Sequence, residues 1–207
     1  MQCSKFCMEF VKEFAIFLYK NDIIKFGNFT LSSGKQSTYY IDIRLLPSYP
    51  HEYRKIIKNL QNLISEQIGL EKFDSLASVP TGGLVIASSL AIEIIKPLIY
   101  VRKKQKEHGT SKLVEGKTTK GMEILMIDDV ATTGESVVNA LKILKKEGMN
   151  VNHAYVIINR KEGADKLLES EGVRLHQITD ILEITDILYK ENLIDEQMLQ
   201  SVKNQVN

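Results

Sequence analysis

The stretch EILMIDDVATTGESVVNALKIL, residues 123–144, limits what this chain can fold into more than any other segment. The run EILMI predicts a buried strand, and the apolar stripe behind Gly134 predicts a helix over 134–147. The strand delivers two acids, Asp128 and Asp129, at its carboxyl end. Val130, Ala131, Thr132, Thr133, Gly134, Glu135 and Ser136 then form a small, hydroxyl-rich turn into the helix. In open α/β sheets, ligands bind at the carboxyl ends of strands. Free backbone N–H groups and the positive end of a helix dipole make such a turn a phosphate cradle. The hydroxyls of Thr132, Thr133 and Ser136 add donors, and the adjacent acids suit ribose hydroxyls or Mg²⁺. An isolated Asp-Asp before Thr-Thr-Gly is explained equally well by a helix cap. The apolar strand ahead and Ser136 behind favour a ligand site. The segment is neither a Walker A loop, since no Gly-Lys-Ser/Thr follows a four-residue spacer, nor a GxGxxG turn.

The same strand-and-helix rhythm runs through the chain from residue 74. Apolar runs SLASV, LIYV, EILMI, VNHAYVII and VRLHQI alternate with helical stretches at 83–95, 134–147 and 162–170. Continuous rather than alternating apolar strands are buried on both faces, which predicts a parallel sheet covered by helices. Ahead of it, apolar spacing predicts a helix over 4–19 with Ser4 as its N-cap, an aromatic-rich hairpin across 26–44, and a helix over 51–68. The tail, 181–205, reads as one or two helices. One connection breaks the rhythm. RKKQKEHGTSKLVEGKTTKG, after LIYV, is polar and has no helical stripe. Long structureless loops in compact domains are often active-site lids.

Composition narrows the function classes. The 27 Lys and Arg nearly balance 26 Asp and Glu, for a formal charge of +1, which argues against a general nucleic-acid binder. At 207 residues and 43% hydrophobic content, one core can form without a disulfide or metal staple. Cys3 and Cys7 are the only cysteines, with no neighbouring ligands to complete a zinc site, and such sparse use suits a reducing cytosol. Charges at Lys5, Glu9, Lys12 and Glu13 interrupt the apolar N-terminus, so it does not read as a signal peptide. The uncharged run from Ser75 to Ile92 is cut by Pro80-Thr81-Gly82-Gly83, which argues against a membrane span.

Two further segments carry chemistry. The glycines of Pro80-Thr81-Gly82-Gly83, at the carboxyl end of SLASV, let backbone N–H groups approach anionic oxygens. Arg160 stands where a later strand ends, and its planar fork matches a carboxylate. The plain alternatives are a strand-to-helix turn for the first and a surface ion pair with Glu162 for the second. His51, His153 and His176 have no evident partners and read as structural or surface residues.

Residues 123–144 resemble the signature by which type I phosphoribosyltransferases bind 5-phosphoribosyl 1-diphosphate (PRPP). Other segments narrow the resemblance to the orotate phosphoribosyltransferases. FTLSSGKQSTYYIDIR (29–44) is similar to that family's hood motif, and SVPTGGLVIA (78–87) to its pyrophosphate loop. YVRKKQKEHGTSKLVEG (100–116) is similar to its mobile catalytic loop, and INRKEG (158–163) to the strand end that contacts orotate. These segments occur in family order over about residues 5–185, and RKxxKxHG is absent from purine-specific relatives. Two departures stand out. Ser32 occupies a position where many members have Lys, and Thr38 one where Pro is frequent, with an expected effect on turn rigidity alone.

The resemblance implies an α/β fold: a central, mostly parallel sheet flanked by helices, in one domain over 1–207. A small N-terminal hood would lie mainly within 20–45 and a mobile loop at 102–120. It implies transfer of the phosphoribosyl group from PRPP to orotate, giving orotidine 5′-monophosphate and pyrophosphate. Arg102, Lys103, Lys106 and His108 would close over the leaving group as catalytic residues, with Asp128 and Asp129 on the ribose. Thr81, Gly82, Gly83 and residues 128–136 would bind PRPP. Thr132, Arg160, Tyr39 and Tyr40 would bind orotate. Mg²⁺ would arrive with PRPP, Asp128 and Asp129 being its possible protein ligands. A cytosolic homodimer with the lid acting in trans is implied, with no nucleic-acid or membrane partner. A phosphoribosyltransferase for another base and a non-catalytic PRPP sensor remain the alternatives, and orotidylate decarboxylation is expected on another chain.

Overall fold

Why the predicted strands sit where they do is clearest in the order of the sheet. The computed structural model describes residues 5–30, 34–102 and 112–206. Within them the chain forms two compact units, residues 53–178 and residues 1–52 with 179–207.

The first of these holds a six-stranded sheet. Its elements are β3 (Ser75–Ser78), α3 (Gly82–Ile94), β4 (Leu98–Val101), β5 (Val114–Glu115), β6 (Glu123–Ala131), α4 (Glu135–Lys146), β7 (Asn150–Asn159), α5 (Ala164–Ser170) and β8 (Arg174–Asp180). The order across the sheet is β5-β4-β3-β6-β7-β8. β3 pairs parallel with both β4 and β6, and β6 with β7. Chain order therefore runs outward in opposite directions from the β3–β6 pair. That pair is the topological switch point, where open α/β sheets form a crevice beyond the strand ends.

Both sheet faces are covered, as continuous apolar strands require. Ala77, Ile99, Ile124, Met126, Ala154 and Val156 pack with Val137, Val138, Leu141 and Leu144 of α4 and with Leu168 of α5. Leu125 and Ile127, alternating to the other face, are equally buried. Two sequence expectations change. β6 does not stop at Ile127 but continues through the acids to Ala131, because β7 runs alongside it, with Asp128 opposite Val156 and Ala131 opposite Asn159. The polar connection also contains a strand: β5 pairs antiparallel with β4, Val101 opposite Val114.

The other unit contains α1 (Lys5–Lys20), the hairpin β1 (Ile24–Thr30) and β2 (Gln36–Ile41), and the C-terminal helices α6 (Ile181–Lys190) and α7 (Glu196–Val206). α2 (Pro50–Gln67) spans the division between units and buries Ile56, Ile57, Leu60 and Ile64 at helical spacing. α1 buries Val11, Phe14, Ala15 and Leu18, the stripe of a surface helix. The hairpin is antiparallel, with an irregularity between Phe26 and Phe29. α6 is capped by Asp180, whose carboxylate accepts from the Glu183 N–H at 2.9 Å.

Thr38 does more here than relax a turn. Its N–H and its hydroxyl both donate to Gln205 Oε1 on α7, at 2.7 and 2.9 Å. Gln205 Nε2 in turn donates to Ser37 Oγ at 3.1 Å. Proline has no N–H, so it could not make the first of these bonds.

Candidate active site

Three loops leave the carboxyl ends of adjacent strands: residues 79–81 after β3, 132–134 after β6 and 160–163 after β7. How closely the first two approach is recorded by the glycines. A Cβ on Gly82 would lie 1.9 Å from Asp129 Oδ2. One on Gly83 would lie 2.3 Å from Asp128 Oδ1 and 2.9 Å from the Asp128 Cα. No side chain fits in either place. The Thr-Gly-Gly turn is thus seated directly against the two acids, both of which are half-buried. The Pro80–Thr81 peptide bond is cis.

α3 and α4 both begin at this crevice, and neither has a side-chain hydrogen bond capping its N-terminus. Their first-turn N–H groups are therefore available to an anion. Gly134 enters α4 in the left-handed region, φ 84°, and a Cβ there would lie 2.7 Å from Leu168 Cδ1. This close packing of α5 fixes the turn in place. Thr132 is half-buried, whereas Thr133, Glu135 and Ser136 are exposed around it. Val130 lies in the last stretch of β6, opposite Ile158, and Ala131 is buried. Among the described residues no group of three His, Cys, Asp or Glu could hold a metal alone. Two carboxylates at a crevice fit a cation carried in chiefly on phosphate oxygens.

Arg160 is 6% exposed, and its N–H donates to Ala131 O at 2.8 Å, tying the β7 loop to the β6 loop. The Glu162 pairing weighed from sequence is present but is not at the surface. Arg160 Nε and Nη2 both reach Glu162 Oε1, at 3.0 and 2.9 Å, with the two side chains only 7% and 2% exposed. Arg102 stands at the foot of the long polar loop. Its N–H donates to Leu113 O at 2.8 Å, and Nη1 lies 3.3 Å from Glu115 Oε1. A cavity of about 250 Å³ is lined by Val79, Val101, Arg102, Ser136 and Asn139, at the same ends of the strands. Lys103, Lys106 and His108, like Ser4 and Ser32, lie outside the described residues.

Tyr39 and Tyr40 belong to the other unit. Tyr39 is fully buried there, so its ring is part of that unit's core and offers no surface to a ligand. Tyr40 is half-buried and accepts from Arg44 Nη2 at 3.2 Å.

The sequence reading missed two polar arrangements. Asn159, fully buried, donates through Nδ2 to Asp165 and to Gln177 Oε1, and its Oδ1 accepts from the Lys161 N–H. His153 and His176, read as unpartnered, are partners of each other: Nδ1 of the first lies 3.0 Å from Nε2 of the second. Tyr155 stacks on His176, ring centroids 4.3 Å apart, and donates to Gln67 at 2.9 Å. Burial, and then the charges of His153 and Arg174, push His176 down to about 4. Burial, and then Arg174, also lower His153. His51 is exposed. No signal along the sequence marks these partners, because each spans many residues.

Comparison with known proteins agrees with this geometry. The phosphoribosyl transferase domain family matches residues 47–186. An orotate phosphoribosyltransferase of Cenarchaeum symbiosum is 46% identical over 95% of this chain and 98% of its own length. One from Staphylothermus marinus is 40% identical over 95% of both chains. The crystal structure of orotate phosphoribosyltransferase from Aeropyrum pernix superposes with a TM-score of 0.75 at 37% identity, covering 87% of this chain and 99% of that one. Among the described residues, no helix is long and apolar enough to cross a membrane.

Proposed function

The chain belongs to the phosphoribosyl transferase family, and from that premise we propose that it transfers the 5-phosphoribosyl group of PRPP to orotate. The products are orotidine 5′-monophosphate and pyrophosphate, a step of pyrimidine biosynthesis. The observation that carries this reading is the seating of Gly82 and Gly83 against Asp129 and Asp128 at the switch point. It brings a diphosphate-binding turn and ribose-binding acids within reach of one small molecule.

The roles follow from the chemistry. Residues 131–136, at the start of α4, hold the 5′-phosphate through backbone N–H groups and the hydroxyls of Thr132, Thr133 and Ser136. Asp128 and Asp129 accept from the ribose hydroxyls. Thr81, Gly82 and Gly83 hold the diphosphate. The pyrimidine nitrogen forms its bond to ribose C1 as the C1–oxygen bond breaks, and the electron pair of that bond leaves on pyrophosphate. Negative charge grows there, so cations placed in advance lower the barrier. Arg102, Lys103, Lys106 and His108 supply them as the polar loop closes and excludes water. Mg²⁺, bound through the diphosphate and within reach of Asp128 and Asp129, neutralises further charge.

Arg160 is the reason for choosing orotate over another base. A buried guanidinium at the crevice suits the carboxylate that orotate carries and that uracil and the purines lack. The same feature counts against a PRPP sensor, which needs no site for a base. We read the protein as a cytosolic homodimer whose lid completes the neighbouring subunit's site. Ile92 and Ile95 of α3, 81% and 90% exposed, support an apolar face for a second copy. The deciding assay follows orotate consumption in the ultraviolet with PRPP and Mg²⁺, beside uracil, adenine and hypoxanthine. Turnover of another base in preference to orotate would overturn the assignment, as would none with any.

A further inference from the structure

We propose that Glu162 is a positioning residue for base selection: it holds one edge of the Arg160 guanidinium so that the other edge is presented to a carboxylate on the base. The proposal rests on Arg160 being the group that takes the orotate carboxylate. A guanidinium is planar and has two edges suited to a paired acceptor. Glu162 Oε1 occupies one of them, accepting from Nε at 3.0 Å and Nη2 at 2.9 Å. The edge formed by Nη1 and Nη2 points away from Nε, and therefore away from that contact.

The backbone around Glu162 is built to make this contact. Lys161 and Gly163 both adopt left-handed conformations, φ 58° and 109°. Glu162 lies between them, so the chain doubles back and its carboxylate folds onto the side chain two residues earlier. The buried amide of Asn159 stabilises the bend by accepting from the Lys161 N–H at 2.8 Å. Its Nδ2 is fixed in turn by Asp165, at 3.1 and 3.0 Å, and by Gln177 at 2.8 Å. From the other side, the Arg160 N–H is bound to Ala131 O at 2.8 Å, so Arg160 is registered to the turn after β6. A non-glycine left-handed residue is uncommon and calls for such support.

The arrangement has a chemical consequence. A lone arginine on its flexible stem would lose side-chain freedom when a carboxylate arrived, and burying it unpaired is costly. With Glu162 in place the cation is already oriented and neutralised in the empty site. A neutral base then gains no unsatisfied charge to bind, whereas a carboxylate meets a fork held at the correct angle. Glu162 never touches the reacting atoms.

Steady-state kinetics with orotate and PRPP varied separately tests this, using E162A, E162Q, E162D and R160A. E162A should raise the orotate KM about tenfold or more, with the PRPP KM within about twofold of wild type. E162Q keeps an acceptor oxygen at the same reach and should recover most of that loss. E162D, shorter by a methylene, should fall between them, and it carries the test if E162A does not fold. An unchanged orotate KM in E162A and E162D overturns the proposal. So does a parallel rise in the PRPP KM, which would mark a general distortion of the loop, and so does an E162Q variant as damaged as E162A. R160A separates the two levels of inference. If it leaves the orotate KM unchanged, the reading of Arg160 itself fails; if R160A raises that KM and E162A does not, only the role of Glu162 fails.

Discussion

Gly83→Ala adds one methyl group and should damage both the fold and the site. Gly83 does not lie in the left-handed region, so alanine can adopt its backbone conformation and the effect is purely spatial. The new Cβ would meet Asp128 Oδ1 at 2.3 Å, Ser78 Oγ at 2.8 Å and the Asp128 Cα at 2.9 Å. Ordinary van der Waals contact begins at 3.4 Å, so the overlap with Cα is half an ångström and with Oδ1 more than one. A carboxylate can rotate, but a Cα inside a paired strand cannot. The loop must therefore lift, or β6 must bow. Overpacking of this kind costs about 1–3 kcal/mol. For a chain of this size that lowers Tm by roughly 2–4 °C per kcal/mol. Lifting a substrate-positioning loop by about 1 Å costs on the order of 10²-fold in rate.

The assays are a thermal melt and kcat/KM for PRPP, with Gly172→Ala as the comparison. Gly172 has φ 74° and nothing within 4 Å of its would-be Cβ, so it is conformationally strained but sterically open. That variant should lose about 1 kcal/mol and keep its activity. Gly83→Ala should lose activity far beyond what its Tm explains. If Gly83→Ala melts and turns over like wild type, the close seating of the turn on Asp128 is wrong, and the argument for a shared site fails with it.

Arg160→Ala should raise the orotate KM and cut kcat/KM roughly 10–100-fold while sparing PRPP, the loss of one charged pair of about 1.5–3 kcal/mol; collapse of PRPP affinity instead would refute the role of Arg160. Lys106→Ala should lower kcat by roughly 10²–10³-fold, by analogy with removal of one preorganised donor, and full activity would exclude it from the leaving-group site. Burial depresses both histidines of the β7–β8 pair, so below the unfolded value of 6.5 the unfolded chain takes up protons first. Stability is complete above pH 6.5 and is lost as pH falls toward 4, by up to about 3 kcal/mol for His176; a melt series from pH 7 to 4.5 should be shallower in His176→Gln, and equal slopes would refute this. Mixing Lys106→Ala with Asp129→Asn under subunit exchange should restore about a quarter of the sites if the lid acts in trans, by symmetry alone, and confirmed exchange without activity would refute that model.

What the sequence revealed was whatever one short stretch of chain decides for itself. Apolar runs between helical stripes gave the strand order along the chain, since burial on both faces leaves a local mark. The turn after β6 was legible because its hydroxyls and glycine suit one conformation and one chemistry. The lost details were non-local. Whether β6 ends at Ile127 or Ala131 depends on the length of β7, and no residue in β6 records that. Thr38 looks like a relaxed turn until Gln205, 167 residues away, arrives to accept from it. His153 and His176 look idle because their meeting depends on β7 and β8 being neighbours. The Arg160–Glu162 pair was visible as a spacing, but its burial follows from the turn geometry at Lys161 and Gly163.

Gly82 and Gly83 carry this distinction furthest. In the sequence they make room for a ligand, letting backbone N–H groups approach a diphosphate. In the structure the space their missing side chains leave is taken up from the opposite side, by Asp129 and Asp128. The glycines are required before any substrate binds. Two motifs some 45 residues apart in the chain, Thr-Gly-Gly and Asp-Asp, are therefore one packing unit: each restricts what the other position can be. A substitution in the turn reaches the ribose-binding acids by direct contact, and one in the acids reaches the diphosphate turn. The two should accordingly fail additivity, because contacting residues share one packing arrangement. A double-mutant cycle of Gly83→Ala with Asp128→Ala measures this. Truncating Asp128 removes the carboxylate that the new methyl strikes, so the double variant should lose less stability than the two single losses added together. Strict additivity would mean that the turn and the acids do not touch.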